Sequence, residues 1–174
     1  ASMDLILWRH AQAEALTLDE AHLQSGADGA PVTINIDPAQ DLARCLTPKG
    51  HRQAERMAVW LNGHLPDNTR VLVSPAQRTQ QTALALGRSY KTVKALNPQA
   101  SVDDLLKVAK WPQLGDTVVV VGHQPILGMA AARLLTGYDL AWSVKKGAIW
   151  WLRLRERQGE QQVTLQTVQS PDWV

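Results

Sequence analysis

The 174-residue chain predicts an α/β fold, with helices layered on a sheet, and three observations carry that prediction. Three short runs, DLILW at 4–8, RVLVS at 70–74 and TVVVVGH at 117–123, are apolar at nearly every position, as strands covered on both faces are. Each is followed by a turn and then by a helical pattern, around 48–62, 76–89 and 124–136 respectively. Apolar residues make up 45% of the chain and charged ones 20%, a globular balance at a length that suits one core.

The first strand, 4–8, ends directly on Arg9 and His10. The stretch from His22 to Arg44 is the least regular: Gly26, Gly29, Pro31 and Pro38 break any period, and 22–41 reads as a long inserted excursion. Long loops in compact domains often serve as binding lids, and a plain surface insertion is the alternative. The next helix has Thr47 as its N-cap and Pro48 at its first position, with Ala54, Met57, Ala58 and Leu61 on one face. After RVLVS and the 76–89 helix come a short strand, KTVKA at 91–95, and a helix over 101–109 capped by Ser101. Asp103 and Asp104 in its first turn suit the helix dipole. The chain closes with an antiparallel pair, AIWWLRLRE and QQVTLQTVQ, joined by RQGE.

These features exclude several function classes. No apolar run approaches the ~18 residues of a membrane span, so no membrane partner is expected. The net charge is +2 and the basic residues are scattered, so nucleic acid is not a partner. Cys45 is the one cysteine and reads as packed, and no basic segment precedes an apolar signal core, so the expected location is cytoplasmic. Ala1 and Ser2, ahead of Met3, read as a cloning remnant, which leaves a single domain over 3–174. His22, His51 and His64 lack metal-ligand spacing and read as surface residues; no metal or cofactor is expected.

In an open α/β sheet, ligands bind beyond the carboxyl ends of the strands. There the first strand delivers Arg9 and His10. The second delivers Ser74 and Pro75, with Arg78 one turn into the next helix, and the third delivers Gly122, His123, Gln124 and Pro125. Two histidines and two arginines on one rim, beside helix N-termini, make a phosphate site. Imidazole, with a pKa of about 6.5 in water, is largely neutral at pH 7, and nearby arginine charges disfavour its protonation further. A neutral ring nitrogen can attack phosphorus, and a covalent phosphohistidine splits one hard displacement into two easier ones while guanidinium forks hold the oxygens. That scheme requires no metal. Each element alone has a bland reading, a strand stop, a helix start or a turn histidine, and only their joint placement carries the chemistry.

These residues resemble the histidine phosphatase superfamily, the phosphoglycerate mutase-like group (branch 1). Its Arg-His-Gly motif corresponds to WRHAQAE, with Ala11 in place of glycine. The likeness continues through LTPKG at 46–50, VLVSPAQRTQQTA at 71–83, VVVVGHQP at 118–125 and KGAIWWL at 146–152. The short length and DLARCLTPKG look most like the SixA-type phosphohistidine phosphatases. The resemblance implies a three-layer α/β/α sandwich with a mostly parallel central sheet. It also implies His10 as phosphoryl acceptor, Arg9 and Arg78 as phosphate ligands and His123 as a further donor, with Ser74 and Gln124 lining the substrate site.

Mutases and acid phosphatases of the superfamily carry a proton-donating glutamate after the SPxxR helix. The corresponding KTVKALNPQ contains no acid, and Ala95 stands at the vacant position. An alkoxide leaving group needs a general acid, worth roughly 10²–10⁴ in rate. An imidazole can instead take a proton on its remote nitrogen from solvent. The expected reaction is therefore removal of phosphate from the phosphohistidine of a phosphotransfer or phosphorelay protein, a signal-transduction role. A small phosphorylated substrate such as a sugar or nucleotide phosphate is the alternative, with Asp103 or Asp104 as substitute acid. From another class, a non-catalytic phosphate-binding adaptor would keep the same pocket. Glu14 reads either as an orienter of a site arginine or as an exposed loop acid.

Overall fold

The computed structural model describes residues 1–16, 23–24, 33–34 and 37–174. Its strands are β1 (Ser2–Arg9), β2 (Leu23–Gln24), β3 (Thr33–Ile34), β4 (Arg70–Val73), β5 (Lys91–Thr92), β6 (Thr117–Gly122), β7 (Ile149–Arg157) and β8 (Glu160–Gln169). Its helices are α1 (Pro38–Leu42), α2 (Pro48–Asn62), α3 (Gln77–Leu84), α4 (Val102–Val108) and α5 (Ile126–Thr136), and Lys94–Leu96 forms a 3-10 turn. Six strands make one sheet in the order β5-β4-β6-β1-β7-β8. The first four of these run parallel, and β7 and β8 extend the sheet antiparallel.

Alternation along the central strands explains their apolar runs. Leu5 and Leu7 of β1 and Val118 and Val120 of β6 face a core closed by Leu105 of α4 and Leu127, Ala130 and Ala131 of α5. Ile6, Trp8, Val119 and Val121 face the opposite core, closed by Met57, Ala58 and Leu61 of α2 and Ala83 of α3. The result is an α/β/α sandwich around a mostly parallel sheet. Fully burying a side chain such as Met57 or Leu61 contributes about 1.5–3 kcal/mol, which is what fixes the α2 face. The α2 start is local chemistry: Thr47 Oγ accepts from Gly50 N at 3.0 Å with Pro48 in the first turn.

Several boundaries differ from the sequence expectation. The helix expected over 76–89 ends at Leu84, before Gly87 at φ +69° turns the chain. The strand expected over 91–95 pairs only at Lys91 and Thr92 before the 3-10 turn takes over. β1 begins at Ser2, which pairs with Arg155, so a residue set aside on sequence grounds belongs to the sheet. Pro38, read as a breaker, opens α1 instead, because Asp37 caps it by accepting from Ala39 N at 2.9 Å. Most of the excursion, and His22 with it, lies outside the described residues; β2 and β3 pair antiparallel within it. Among the described residues no helix is long and apolar enough to cross a membrane.

Candidate active site

Register brings the three strand ends together. Arg9 of β1 lies opposite Gly122 of β6, and Val73 of β4 lies opposite Val121. The residues that follow, His10, Ser74 and His123, therefore emerge side by side, and the helix after β4 adds Arg78. His10 is fixed at both backbone polar groups: its N–H donates to Gly122 O at 3.1 Å and its carbonyl accepts from Gly147 N at 3.0 Å. His10, His123, Arg78 and Ser74 are all buried, and the two imidazole centroids stand 5.5 Å apart.

The hydrogen bonds decide which ring nitrogens are free. His10 Nδ1 lies 2.7 Å from Ala11 O. A carbonyl only accepts, so Nδ1 carries the proton and Nε2 keeps its lone pair. His123 Nε2 lies 2.7 Å from Ser74 Oγ, which itself accepts from Ala76 N at 3.3 Å. The serine oxygen keeps a second lone pair and its own hydrogen, so the contact is compatible with either His123 tautomer; with the hydroxyl donating to Nε2, the ring carries its proton on Nδ1. That Nδ1 is buried without a partner, as are the Nε atoms of Arg9 and Arg78. Both guanidinia are held elsewhere: Arg9 Nη1 donates to Val144 O at 2.8 Å and Arg78 Nη1 to Asp41 O at 2.7 Å. Two buried arginine N–H donors and a ring nitrogen, all left open on one rim, suit an oxyanion.

Electrostatics favour neutral rings. Burial pushes His10 down to about 4; the Ala11 bond opposes it, and the charges of Arg78, Arg9 and Arg44 add smaller downward pushes. Burial, then Arg78 and His10, push His123 down to about 3. Burial also lowers both Arg9 and Arg78, and both remain cations at neutral pH.

Two residues that the sequence reading passed over complete the site. Asp41 accepts from Arg78 Nη2 at 3.3 Å and from Arg44 Nη1 at 3.1 Å, and Arg44 Nε donates to Glu14 O at 2.8 Å. A carboxylate thus does stand at the rim, although KTVKALNPQ supplies none. Burial opposes its charge, but the Arg44 hydrogen bond and the Arg78 charge outweigh that, and its pKa is lowered. The signal for it was Asp37-Pro38, the same cap-and-proline pair as Thr47-Pro48. Ala95 faces a different cleft, shared with Arg70 and Lys107, whereas Asn97, Pro98 and Gln99 border one with Asp41.

The remaining expectations fall as follows. Gln124 uses both ends of its amide structurally, donating to Trp142 O at 2.9 Å and accepting from Gly128 N at 3.0 Å. Asp104 closes a capping box with Ser101, and Asp103 pairs with Arg133. Glu14 has an exposed side chain and meets the site through its carbonyl. His51 and His64 are on the surface. Cys45, expected to be packed, is exposed, because the neighbouring Leu46 bridges to Ala13 and takes the inward position. Among the described residues no three His, Cys, Asp or Glu side chains converge in a set that could hold a metal ion.

Known proteins share parts of this sequence and its fold. Residues 5–100 match the histidine phosphatase superfamily (branch 1). The phosphohistidine phosphatase SixA of Escherichia coli (strain K12) is 34% identical over 112 residues, covering 59% of this chain and 68% of that one. A chain assigned as SixA from Nakamurella multipartitia superposes with a TM-score of 0.70 at 27% identity, over 98% of this chain and 97% of that one. The protein histidine phosphatase SixA complexed with tungstate superposes with a TM-score of 0.67 at 26% identity, over 98% of each chain.

Proposed function

Because the chain belongs to the histidine phosphatase superfamily (branch 1), we propose that it removes phosphate from a phosphohistidine carried by a phosphotransfer protein, through a phosphorylated His10. The observation that carries this reading is the Nδ1 bond to Ala11 O, which leaves His10 Nε2 unprotonated among Arg9, Arg78 and His123.

In the first step Nε2 attacks phosphorus and the P–N bond of the substrate breaks. The leaving imidazole, protonated on its remote nitrogen, departs neutral. The Nε–H groups of Arg9 and Arg78 and the Nδ1–H of His123 hold the phosphoryl oxygens as charge redistributes. In the second step water attacks phosphorus, the bond to Nε2 breaks, and inorganic phosphate leaves with His10 restored.

The choice of a P–N substrate rests on Asp41. The carboxylate in contact with the site's arginines is held ionised by two of them, so it is a poor proton donor for an alkoxide. The adjoining cleft of about 420 Å³ is lined by Pro38, Asp41, Leu42, Asn97, Pro98 and Gln99. Among the described residues it offers no cation to a second anionic group on a small phosphoester. The 34% identity to a phosphohistidine phosphatase supports the same choice.

The test is a substrate panel: a phosphohistidine-bearing phosphotransfer domain and phosphoramidate against p-nitrophenyl phosphate and alkyl phosphates, with intact-mass trapping of the phosphoryl group. Preference for the P–N substrates and a phosphate adduct on His10 are expected. Preference for alkyl esters would sink the substrate assignment, and the absence of any adduct would favour a binding adaptor.

A further inference from the structure

We propose that Asp41 is a positioning residue for the reaction: it grips the far end of the Arg78 guanidinium so that the Nε edge is presented to the phosphoryl group. This deepens the phosphatase reading and rests on it for its kinetic arm only.

A guanidinium carries five N–H donors in a rigid plane. Asp41 takes one hydrogen from each terminal nitrogen of Arg78, Nη1 through its carbonyl at 2.7 Å and Nη2 through Oδ2 at 3.3 Å. The end edge of the fork is thereby filled, and Nε and a second Nη2 hydrogen remain on the side edge. Nε is buried and without a partner. Arg9 repeats the pattern, with Nη1 pinned by Val144 O and Nε left open. Two arginines that reach the rim from different elements are thus held by their far ends and keep the same donor free.

The two grips differ in kind. Arg9 is held by a neutral carbonyl of the body of the fold. Arg78 is held by a charged residue of α1, a helix of five residues that buries none of them. Asp41 is in turn fastened by Arg44, whose Nη1 reaches Oδ1 at 3.1 Å and whose Nε is tied to Glu14 O. Among the described residues no other carboxylate hydrogen-bonds to Arg9, Arg44 or Arg78. Without the Asp41 carboxylate, a guanidinium whose side chain is only 5% exposed would stand among cations and neutral imidazoles with the residue-41 carbonyl alone holding it, one point that does not fix its plane.

A carboxylate on a phosphate-binding arginine has an opposite interpretation, as an occupant that substrate must evict. The two make opposite predictions. The experiment compares the full chain with Asp41→Asn, Asp41→Ala and Asp41→Glu, checked for folding by circular dichroism. Tungstate is titrated calorimetrically, and phosphoramidate turnover is resolved into kcat and KM.

If Asp41 positions Arg78, the Asn and Ala variants bind tungstate roughly 10- to 100-fold more weakly, the loss typical when an outer carboxylate orienting a liganding group is removed. Their kcat falls by a similar factor, and Glu restores most of both. Unchanged or tighter tungstate binding in Asp41→Asn, or an undiminished kcat, overturns the proposal. Should the wild-type chain bind tungstate but turn over no phosphoryl substrate, the phosphatase reading falls while the titration still decides the role of Asp41. A wild-type chain that binds no tungstate overturns both.

Discussion

The rings of His10 and His123 lie with centroids 5.5 Å apart, tilted by 55°, each buried and each facing the Arg9 and Arg78 charges. A proton on either ring adds a positive charge to a pocket already holding two guanidinia, and burial denies it water. His10 is accordingly held near 4, against 6.5 in water, with burial as the main cause. In the proposed mechanism the nucleophile is the neutral ring, so activity is expected to persist on the acid side of neutrality. With the substrate's own titration accounted for, kcat/KM is expected to stay level from pH 7 to about 5 and to fall below that with an apparent pKa near 4. An acid limb centred on 6.5 would show that His10 titrates as a solvated ring, without the burial that the geometry gives it.

The same two rings tie stability to pH. In the unfolded chain both titrate at 6.5, whereas the folded chain refuses these protons until about 4 for His10 and about 3 for His123. Between 6.5 and about 4 the unfolded state binds more protons, so stability is full above 6.5 and declines as pH falls through this window. At about 1.4 kcal/mol per unit, the loss traceable to His10 is on the order of 3 kcal/mol. Thermal unfolding from pH 7.5 to 4.5 should show this decline, and His10→Asn and His123→Asn should each flatten it. A double variant with the wild-type slope would place the decline elsewhere.

The legibility of the site in the sequence follows from how each part is held. Arg9, His10, Ser74, Arg78 and His123 could be grouped because β1, β4 and β6 bury both faces, which marks them as adjacent central strands whose ends must meet. Asp41 and Arg44 could not, since α1 buries nothing, is too short for any apolar period, and reaches Arg78 across 37 residues. Only the Asp37-Pro38 cap betrayed that helix. Gln124 sat at the expected strand end, yet the carbonyl of Trp142, 18 residues on, claims its amide. Tertiary contacts of that kind leave no local pattern.

Ser74 acts through His123. With its hydroxyl, 2.7 Å from Nε2, as the donor, the His123 proton stands on Nδ1, the tautomer that the proposed mechanism uses toward the phosphoryl group. Ser74→Ala leaves Nε2 buried and unsatisfied, at a stability cost of about 1–3 kcal/mol, and frees the ring to place its proton on Nε2. A drop in kcat of roughly tenfold is expected, one donor being lost in part of the population. Nitrogen-15 spectra of the histidine rings give the direct check: a single Nδ1–H form for His123 in the wild type, and a mixture in the variant. An unmixed Nδ1–H form in Ser74→Ala would assign the tautomer to something other than the serine.

Gly50 sets the loop that follows His10, the proposed nucleophile. A Cβ built there would stand 2.0 Å from the carbonyl oxygen of Gln12, two residues after His10, so the first turn of α2 and this loop touch backbone to backbone. The contact is reinforced by Thr47 N donating to Gln12 O at 3.0 Å and by Gln12 N donating to Gln53 Oε1 at 3.0 Å. Neither partner is a flexible side chain, so Gly50→Ala must displace the loop or unwind the helix start. Overpacking of this kind costs about 1–3 kcal/mol. Activity should suffer more than stability, because a shift of about 1 Å in a reacting group can cost about 10²-fold in rate. Gly63→Ala, whose Cβ would come no closer than 3.4 Å to Trp60 O at the exposed end of the same helix, is the control and should leave both unchanged. Denaturant unfolding and kcat measured on the two variants separate the effects. Wild-type turnover in Gly50→Ala would mean that the loop can give way without moving His10, and that the backbone contact does not position the nucleophile.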